Sequence, residues 1–119
     1  MYAKTYKDLV LWQKAICLVQ EVYAATENFP KTEVYGLTSQ MRRAAISIPS
    51  NIAEGYKRRN LGEYIQFLSI ADASGAELET QIIIAKKIYP SVILSRPESL
   101  LEETQKLLCV FIKKLNAKR

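Results

Sequence analysis

Helix-breaking residues are scarce in this chain, and their scarcity limits the folds available to it. Four glycines and four prolines in 119 residues leave room for few turns, so the elements of secondary structure must be few and long. Between the breaks, apolar residues recur every three or four positions, which is the period of an amphipathic helix. The sequence predicts a single all-α domain over residues 1–119, an up-down-up-down antiparallel four-helix bundle.

Prolines mark several of the predicted helix ends. Phe29-Pro30 ends the first helix and Pro90 ends the third, because the residue before a proline disfavours helical geometry. Pro49 lies inside the second helix and should kink it near residues 45–48. The four predicted helices run over about residues 8–27, 33–57, 61–89 and 97–116.

Two capping signals mark the starts of the third and fourth predicted helices. Asn60 can accept hydrogen bonds from the first-turn amides, and Glu63 occupies the third helical position. Ser95 and Glu98 repeat this pattern before the fourth helix. Both helices should therefore begin sharply after a short connection.

The first predicted helix carries two apolar seams, which together are wider than one antiparallel neighbour can cover. One seam contains Leu9, Trp12, Ile16, Val19 and Tyr23, and the other contains Leu11, Ala15, Leu18 and Val22. The helix therefore either lies between two neighbours of its own bundle or presents one seam to another subunit. On the third helix, small residues in mid-seam would admit a second backbone. The candidate oligomer interface comprises Leu11, Ala15, Leu18, Val22, Ala71 and Gly75.

The stretch Gly36–Arg59 carries five cations against one acid, and it also carries polar residues on one side of the second helix. If the second and third helices form a hairpin about Asn60, Arg42 and Arg43 lie level with two acids, and Ser47 lies level with residues 73–74. We predict that both arginines form ion pairs with Glu77 and Glu79; the alternative is a solvated face whose charges stay unpaired. The full predicted polar network is Gln40, Arg43, Ser47, Asn51, Glu54, Glu77 and Glu79.

The formal net charge of +5 and a pI near 9.2 suggest an anionic partner, such as RNA or DNA; the alternative is a moderately basic soluble protein without one. The candidate nucleic-acid-binding residues are Arg42, Arg43, Lys57, Arg58 and Arg59. The last three form a basic cluster at the turn, which could grip phosphate or could simply keep the protein soluble. Tyr56 and Tyr64 could stack on unpaired bases, although Tyr64 also fits the core seam of the third helix.

The chain lacks the residues of common catalytic sites. It contains no histidine, and it has no glycine-rich phosphate loop, nucleophile elbow or Glu-x-x-His metal motif, so we expect no enzyme, catalytic residue, metal or cofactor. Cys17 and Cys109, without a third cysteine, cannot form a usual zinc site and are predicted to be small core residues in a reducing compartment. No leader and no apolar run of about 18 residues is present, which favours a cytoplasmic protein that does not contact membranes.

From Tyr6 to about Leu115, the chain resembles the bacterial four-helix-bundle family also called the 23S ribosomal RNA intervening-sequence protein family. The resemblance depends on several motifs in the right order. They are Leu11-Trp12-Gln13-Lys14-Ala15, Tyr35-Gly36-Leu37-Thr38-Ser39-Gln40, Arg42-Arg43-Ala44-Ala45, Ser50-Asn51-Ile52-Ala53-Glu54-Gly55 and Glu77-Leu78-Glu79-Thr80-Gln81.

This resemblance implies a four-helix bundle that assembles into a ring-like homopentamer. It also implies similarity to the accessory protein of diversity-generating retroelements, a basic pentameric barrel that binds nucleic acid and a reverse transcriptase. The family has no established catalytic activity. The expected function is therefore that of a non-enzymatic homo-oligomer that binds RNA or DNA by charge. The alternative is a protein-interaction scaffold or accessory subunit that does not itself bind nucleic acid.

Overall fold

A computed structural model describes residues 4–119 of the chain, and this part is helical throughout. Its α-helices are α1 (Val10–Thr26), α2 (Leu37–Tyr56), α3 (Leu61–Ile88) and α4 (Ser95–Asn116). Short 3-10 turns at Tyr6–Asp8 and Lys31–Glu33 precede α1 and α2. No strand occurs between residues 4 and 119, so the predicted all-α class is confirmed.

The four helices form an antiparallel bundle with short connections. Helix α1 packs against α2 and α4, and α3 packs against the same two helices. The bundle is a rod of 45 × 22 × 20 Å. Each helix therefore has two neighbours, which bury one apolar seam of α1 completely and the other only in part.

The apolar seams of all four helices meet along the axis of the rod. The largest fully buried side chains include Leu18 of α1, Met41 of α2, Leu78 of α3 and Leu108 of α4. Burial of each such side chain stabilises the fold by roughly 1.5–3 kcal/mol relative to exposure. The core is therefore continuous along the rod and is built from the residues whose spacing predicted the helices.

The candidate oligomer interface lies inside this core, which corrects the prediction. Leu11, Ala15, Leu18 and Val22 are at most 4% exposed, and Ala71 is fully buried. The small residue Gly75 is covered by the side chain of Gln105, whose carboxamide lies 2.2 Å from the position of a Cβ on this glycine. These residues contact their own subunit because the seam they form faces the bundle axis.

The start of α3 follows the capping prediction, whereas the start of α4 does not. Asn60 Oδ1 accepts a hydrogen bond from the backbone amide of Glu63 at 2.8 Å, and the side chains of the two residues also bond to each other. At α4, the cap residue is Leu94 and no side chain caps the helix, so Ser95 is the first helical residue instead of the cap. The predicted cap was therefore displaced by one residue.

Helix α2 begins four residues later than predicted, at Leu37. The Glu33 carboxylate reaches forward from the preceding 3-10 turn, and its Oε1 accepts from the Leu37 amide at 3.0 Å. Helix α2 then continues through Pro49, which is buried, and the predicted kink stays a prediction.

The two cysteines do not lie in the core. Cys17 and Cys109 are exposed free thiols, so the prediction that they are small core residues is wrong.

Candidate functional site

Three short polar side chains join α2 to α3 on the predicted polar face. The hydroxyl groups of Ser47 and Ser74 lie 2.8 Å apart, which confirms the predicted register of the hairpin. Asn51 Nδ2 donates to the Ser47 carbonyl at 2.8 Å and to its hydroxyl at 2.9 Å. Gln40 and Glu54, the two ends of the predicted network, are exposed. The network is therefore a compact link at mid-helix instead of a continuous row.

Arg42 binds the C-terminal end of α1 instead of α3. Its Nε donates to Thr26 Oγ1 at 2.9 Å, and its Nη2 lies 3.1 Å from Glu27 Oε1. The guanidinium also lies over the Tyr23 ring, with 4.4 Å between Cζ and the ring centroid. A cation is favourable there because the last carbonyls of a helix carry partial negative charge. The predicted pairing of Arg42 across the hairpin is wrong, and the contacts it makes are structural.

Arg43 does not form the predicted ion pairs either. Arg43, Glu77 and Glu79 are all exposed, and no ion pair joins the arginine to either acid within residues 4–119. The Glu77 carboxylate instead lies 3.5 Å from the Gln81 amide nitrogen. An exposed ion pair is only slightly more stable than the two fully hydrated charges. Arg43 and the two glutamates can therefore lie in the predicted register without forming ion pairs.

One end of the bundle collects cations from three separate parts of the chain. Four antiparallel helices bring the segment before α1, the α2–α3 turn and the last turn of α4 to the same end. The Tyr6 and Tyr56 ring centroids lie 6.4 Å apart, and the Arg119 side chain lies against Gly62. We define the basic end as the cations Lys4, Lys7, Lys57, Arg58, Arg59, Lys113, Lys114, Lys118 and Arg119.

The basic end accounts for the whole positive charge of the chain. Its nine cations share this end with three acids, Asp8, Glu54 and Glu63, whereas the rest of the chain holds eight cations and nine acids. None of the salt bridges within residues 4–119 involves a basic-end cation. The basic end is therefore a surface of net positive charge, and none of its cations forms a salt bridge within the described residues.

Below these cations, aromatic rings pack against one another across the bundle. Tyr56 and Tyr64 make an edge-to-face contact at 6.2 Å, and Tyr64 makes another with Phe111 at 5.9 Å. Burial, and then the neighbouring Tyr56, raises the pKa of the Tyr64 phenol to about 12. Tyr64 therefore belongs to the core seam, the second of the two interpretations that the sequence left open.

A glycine allows α2 and α3 to approach closely beside the basic turn. A Cβ placed on Gly55 would lie 2.8 Å from Phe67 Cβ and 3.2 Å from the Tyr64 carbonyl oxygen. On the same helix pair, the Arg58 guanidinium lies over the Phe67 ring, 4.6 Å from its centroid. The sequence-based prediction missed this arrangement, although a glycine in the last turn of a helix was its visible signal.

Apolar surface remains uncovered on two other faces of the bundle. A groove between α1 and α2 is lined by the half-buried Trp12, Ile16 and Val19 and by the exposed Ile46. On the outer side of α3, isoleucines are between 41% and 57% exposed, namely Ile70, Ile83, Ile84 and Ile88. Tyr35, in the connection before α2, is 97% exposed. These surfaces differ in shape, one concave and one a convex helix face.

Two other kinds of site are absent from residues 4–119. None of the helices there combines the length and the apolar character that crossing a membrane requires. Nor does this part of the chain bring three or more acidic or cysteine side chains together as a metal site would.

Comparison with known proteins identifies one family. A family model described as the 23S rRNA-intervening sequence protein matches residues 7–110, which include the whole of α1, α2 and α3 and most of α4. No curated protein matches the chain.

Proposed function

The chain belongs to the 23S rRNA-intervening sequence protein family, and from that premise we propose that it is a non-enzymatic homo-oligomer that binds nucleic acid by charge. The observation that carries the proposal is the basic end, where nine cations lie beside three acids. Binding there would release counterions condensed on phosphates, which favours association and makes it strongly salt-dependent. The proposal involves no catalytic step and no cofactor.

The binding residues in this proposal differ from the five candidate nucleic-acid-binding residues that the sequence predicts. Lys57, Arg58 and Arg59 remain, since all three are exposed at the turn between α2 and α3. Arg42 is withdrawn because its guanidinium is engaged by α1. Arg43 remains a secondary contributor, since it is exposed but lies in the first half of α2, away from the basic end.

The uncovered apolar surfaces support assembly of several copies. The groove between α1 and α2 and the isoleucine face of α3 lie on different sides of the bundle. When two different surfaces of one subunit bind each other in successive copies, the contact is heterologous and generates a ring if the rotation closes. A ring in which every subunit points the same way would place all basic ends on one rim. The family resemblance implies five copies.

The proposed compartment is the bacterial cytoplasm. Cys17 and Cys109 are free and exposed, and free surface thiols are typical of proteins kept in reducing conditions. Nucleic acid is also abundant there. Fractionation of cells that produce the protein at native level would test this placement.

The same apolar surfaces favour a second candidate, a scaffold that binds another protein and not nucleic acid. Exposed apolar patches with polar surroundings are typical of protein-binding sites. The two candidate functions predict different salt dependence of the binding affinity. Binding by charge weakens steeply as the salt concentration rises, whereas binding through apolar contacts does not. A scaffold would also leave the basic end without a ligand.

Fluorescence anisotropy with labelled structured RNA, titrated at several salt concentrations, tests the proposal. We expect binding that weakens by at least tenfold between about 50 and 200 mM salt. Molar mass from light scattering, measured in parallel, should exceed that of one subunit. No binding at the lowest salt would reject nucleic-acid recognition, and a monomer at micromolar concentration would reject the oligomer.

A further inference from the structure

We infer that the basic end binds the sugar–phosphate backbone of a double helix and does not bind through unpaired bases. This inference rests on the proposed function and names the form of nucleic acid that the site accepts. Two features of the basic end carry it: the state of its aromatic rings and the width over which its cations are spread.

The aromatic rings near the basic end are already engaged with other groups. Proteins that bind single strands rely on ring faces on which successive bases stack. Here Tyr6, Tyr56 and Tyr64 are each only partly exposed and contact one another edge to face. The Phe67 ring is covered by the guanidinium of Arg58. Within residues 4–119, the basic end therefore shows cations to solvent and keeps its rings beneath them.

Among residues 4–119, the exposed aromatic residues lie elsewhere on the bundle. Tyr35 is 97% exposed but precedes α2, at the end opposite to the basic end. Tyr23 lies near the end of α1 and is 38% exposed, with the Arg42 guanidinium over its ring. Both rings are separated from the basic end by most of the length of the rod, which is 45 Å, so neither forms part of a stacking surface at that end.

The cations are spread over the full cross-section of the bundle. They come from the segment before α1, from the α2–α3 turn and from the end of α4, and this cross-section measures 22 × 20 Å. The grooves of B-form DNA are about 6 and 12 Å wide, so a surface of this size reaches phosphates of both strands across a groove. The minor groove of an RNA duplex is wide and shallow, which exposes its backbone to the same kind of contact. A single flexible strand would have to fold back on itself to meet the same cations.

One of these cations is held in place before any ligand arrives. Arg58 lies over the Phe67 ring, and Phe67 in turn packs where Gly55 brings α2 close to α3. A guanidinium fixed in this way loses less side-chain entropy on binding phosphate and can donate two parallel hydrogen bonds. We therefore assign Arg58 the role of an oriented phosphate contact among the other exposed cations of the basic end.

The test compares three labelled probes that carry the same number of phosphates, namely an RNA duplex of about 20 base pairs, a DNA duplex of that length and an unstructured single strand of about 40 nucleotides. We expect both duplexes to bind about tenfold tighter than the single strand, and scrambling the duplex sequence to change affinity by less than about threefold. Equal or tighter binding of the single strand would overturn the inference while leaving the proposed function intact. Absence of binding to all three probes would overturn the proposed function itself.

Two variants with the same change in net charge locate the site. The first replaces Lys57, Arg58 and Arg59 with alanine, and the control replaces Lys31, Lys87 and Lys106, which are exposed and lie away from the basic end. We expect the first to lower duplex affinity by at least about tenfold and to reduce the log–log salt slope by about three, and the control to change affinity by less than about threefold. Equal losses in both variants would show that net charge and not this surface governs binding, and would overturn the inference.

The role of Arg58 has its own control. Arg58→Lys keeps the charge but loses the planar fork, so we expect a weaker duplex affinity with an almost unchanged salt slope. Circular dichroism of every variant verifies that the helices have formed. If Arg58→Lys binds as the natural protein does, the oriented contact is wrong.

Discussion

The two ends of the bundle treat their charges differently. At the basic end, within the described chain, no cation pairs with a carboxylate, whereas at the opposite end Arg42, Lys86 and Arg96 each pair with a glutamate of another part of the chain. Below the basic end the contacts are apolar and aromatic; at the opposite end, hydrogen bonds such as that from the Tyr89 hydroxyl to Glu33 join the elements. The comparison teaches that one end uses its charges for its own fold, whereas the cations of the other end form no salt bridge within the described chain, as the proposed binding role requires.

The largest expected effect concerns the packing beneath the basic end. Gly55→Ala places a methyl group 2.8 Å from Phe67 Cβ and 3.2 Å from a backbone oxygen, and neither atom can move without shifting α3. We expect the free energy of unfolding to fall by about 1–3 kcal/mol, measured by urea denaturation.

Gly75→Ala is the matched control for this prediction. Its new methyl group meets the flexible end of the Gln105 side chain, which can rotate away at the cost of the contacts to Asp72. The helix-propensity gain of roughly 0.5–1 kcal/mol offsets part of that loss. Equal destabilisation by both substitutions would show that the close approach at Gly55 is not special.

The second prediction concerns the paired charges of the opposite end. Arg42→Ala removes the hydrogen bond to Thr26 and the cation at the end of α1, so we expect a loss of about 1–2 kcal/mol in the free energy of unfolding. Arg43→Ala, one residue away and exposed, should change it by less than about 0.5 kcal/mol. If both substitutions lower the free energy of unfolding equally, Arg42 does not have the structural role assigned to it, and its exclusion from the proposed binding residues is wrong.

The third prediction uses pH to probe Glu33 at the opposite end. The hydrogen bond from Tyr89, and then the one from the Leu37 amide, holds the pKa of Glu33 below its ordinary value of 4.5. When folding lowers the pKa of a carboxyl group, the ionised group stabilises the folded state at pH values above its ordinary pKa. This stabilisation is lost as pH falls through the pKa of the folded state.

Thermal unfolding measured from neutral pH downward tests this link. Tyr89→Phe removes the largest cause of the lowered pKa, so the difference in Tm between it and the natural protein should be largest near neutral pH and shrink below pH 4.5. Glu33→Gln should show the same convergence. A constant difference at every pH would contradict the assignment.

The smallest effect belongs to the unpaired cations themselves. Repulsion among the nine cations of the basic end opposes folding at low salt, so added salt should stabilise the natural protein by a few tenths of a kcal/mol. Replacing Lys57 and Arg59 with glutamine should reduce this salt effect without destabilising the fold. A loss of stability in that double variant would indicate that these cations do have partners within the bundle.

Much of the fold was predictable because the helices expected from the spacing of apolar residues are the helices that pack in the bundle. The period of the apolar residues determines which face of each helix is buried, and Met41, Leu78 and Leu108 all occupy the faces so predicted. Leu18 was assigned to an oligomer interface and lies in the core instead. The hairpin register could also be predicted, since residues equidistant from a tight turn lie side by side, as Ser47 and Ser74 do.

The candidate site was less predictable because its members are distant in sequence. Lys57, Arg58 and Arg59 stood out as a run, but Lys7 or Lys114 joins them only once the topology is known. The partner of Arg42 was missed for a related reason: the C-terminal end of α1, and not an acid on α3, lies nearest to its guanidinium. Periodicity assigns a residue to a face, but it does not identify what occupies the space beyond that face.

An even number of antiparallel helices returns the chain to the end at which it started, and this has a practical consequence. A purification tag or fluorophore fused after Arg119 would emerge beside the α2–α3 turn, because the Arg119 side chain lies against Gly62. Such a fusion would crowd the surface on which binding is to be measured, and an acidic epitope would occupy it directly. The connection between α3 and α4, with the exposed Ile93, lies at the far end of the rod and is the better attachment point for a label.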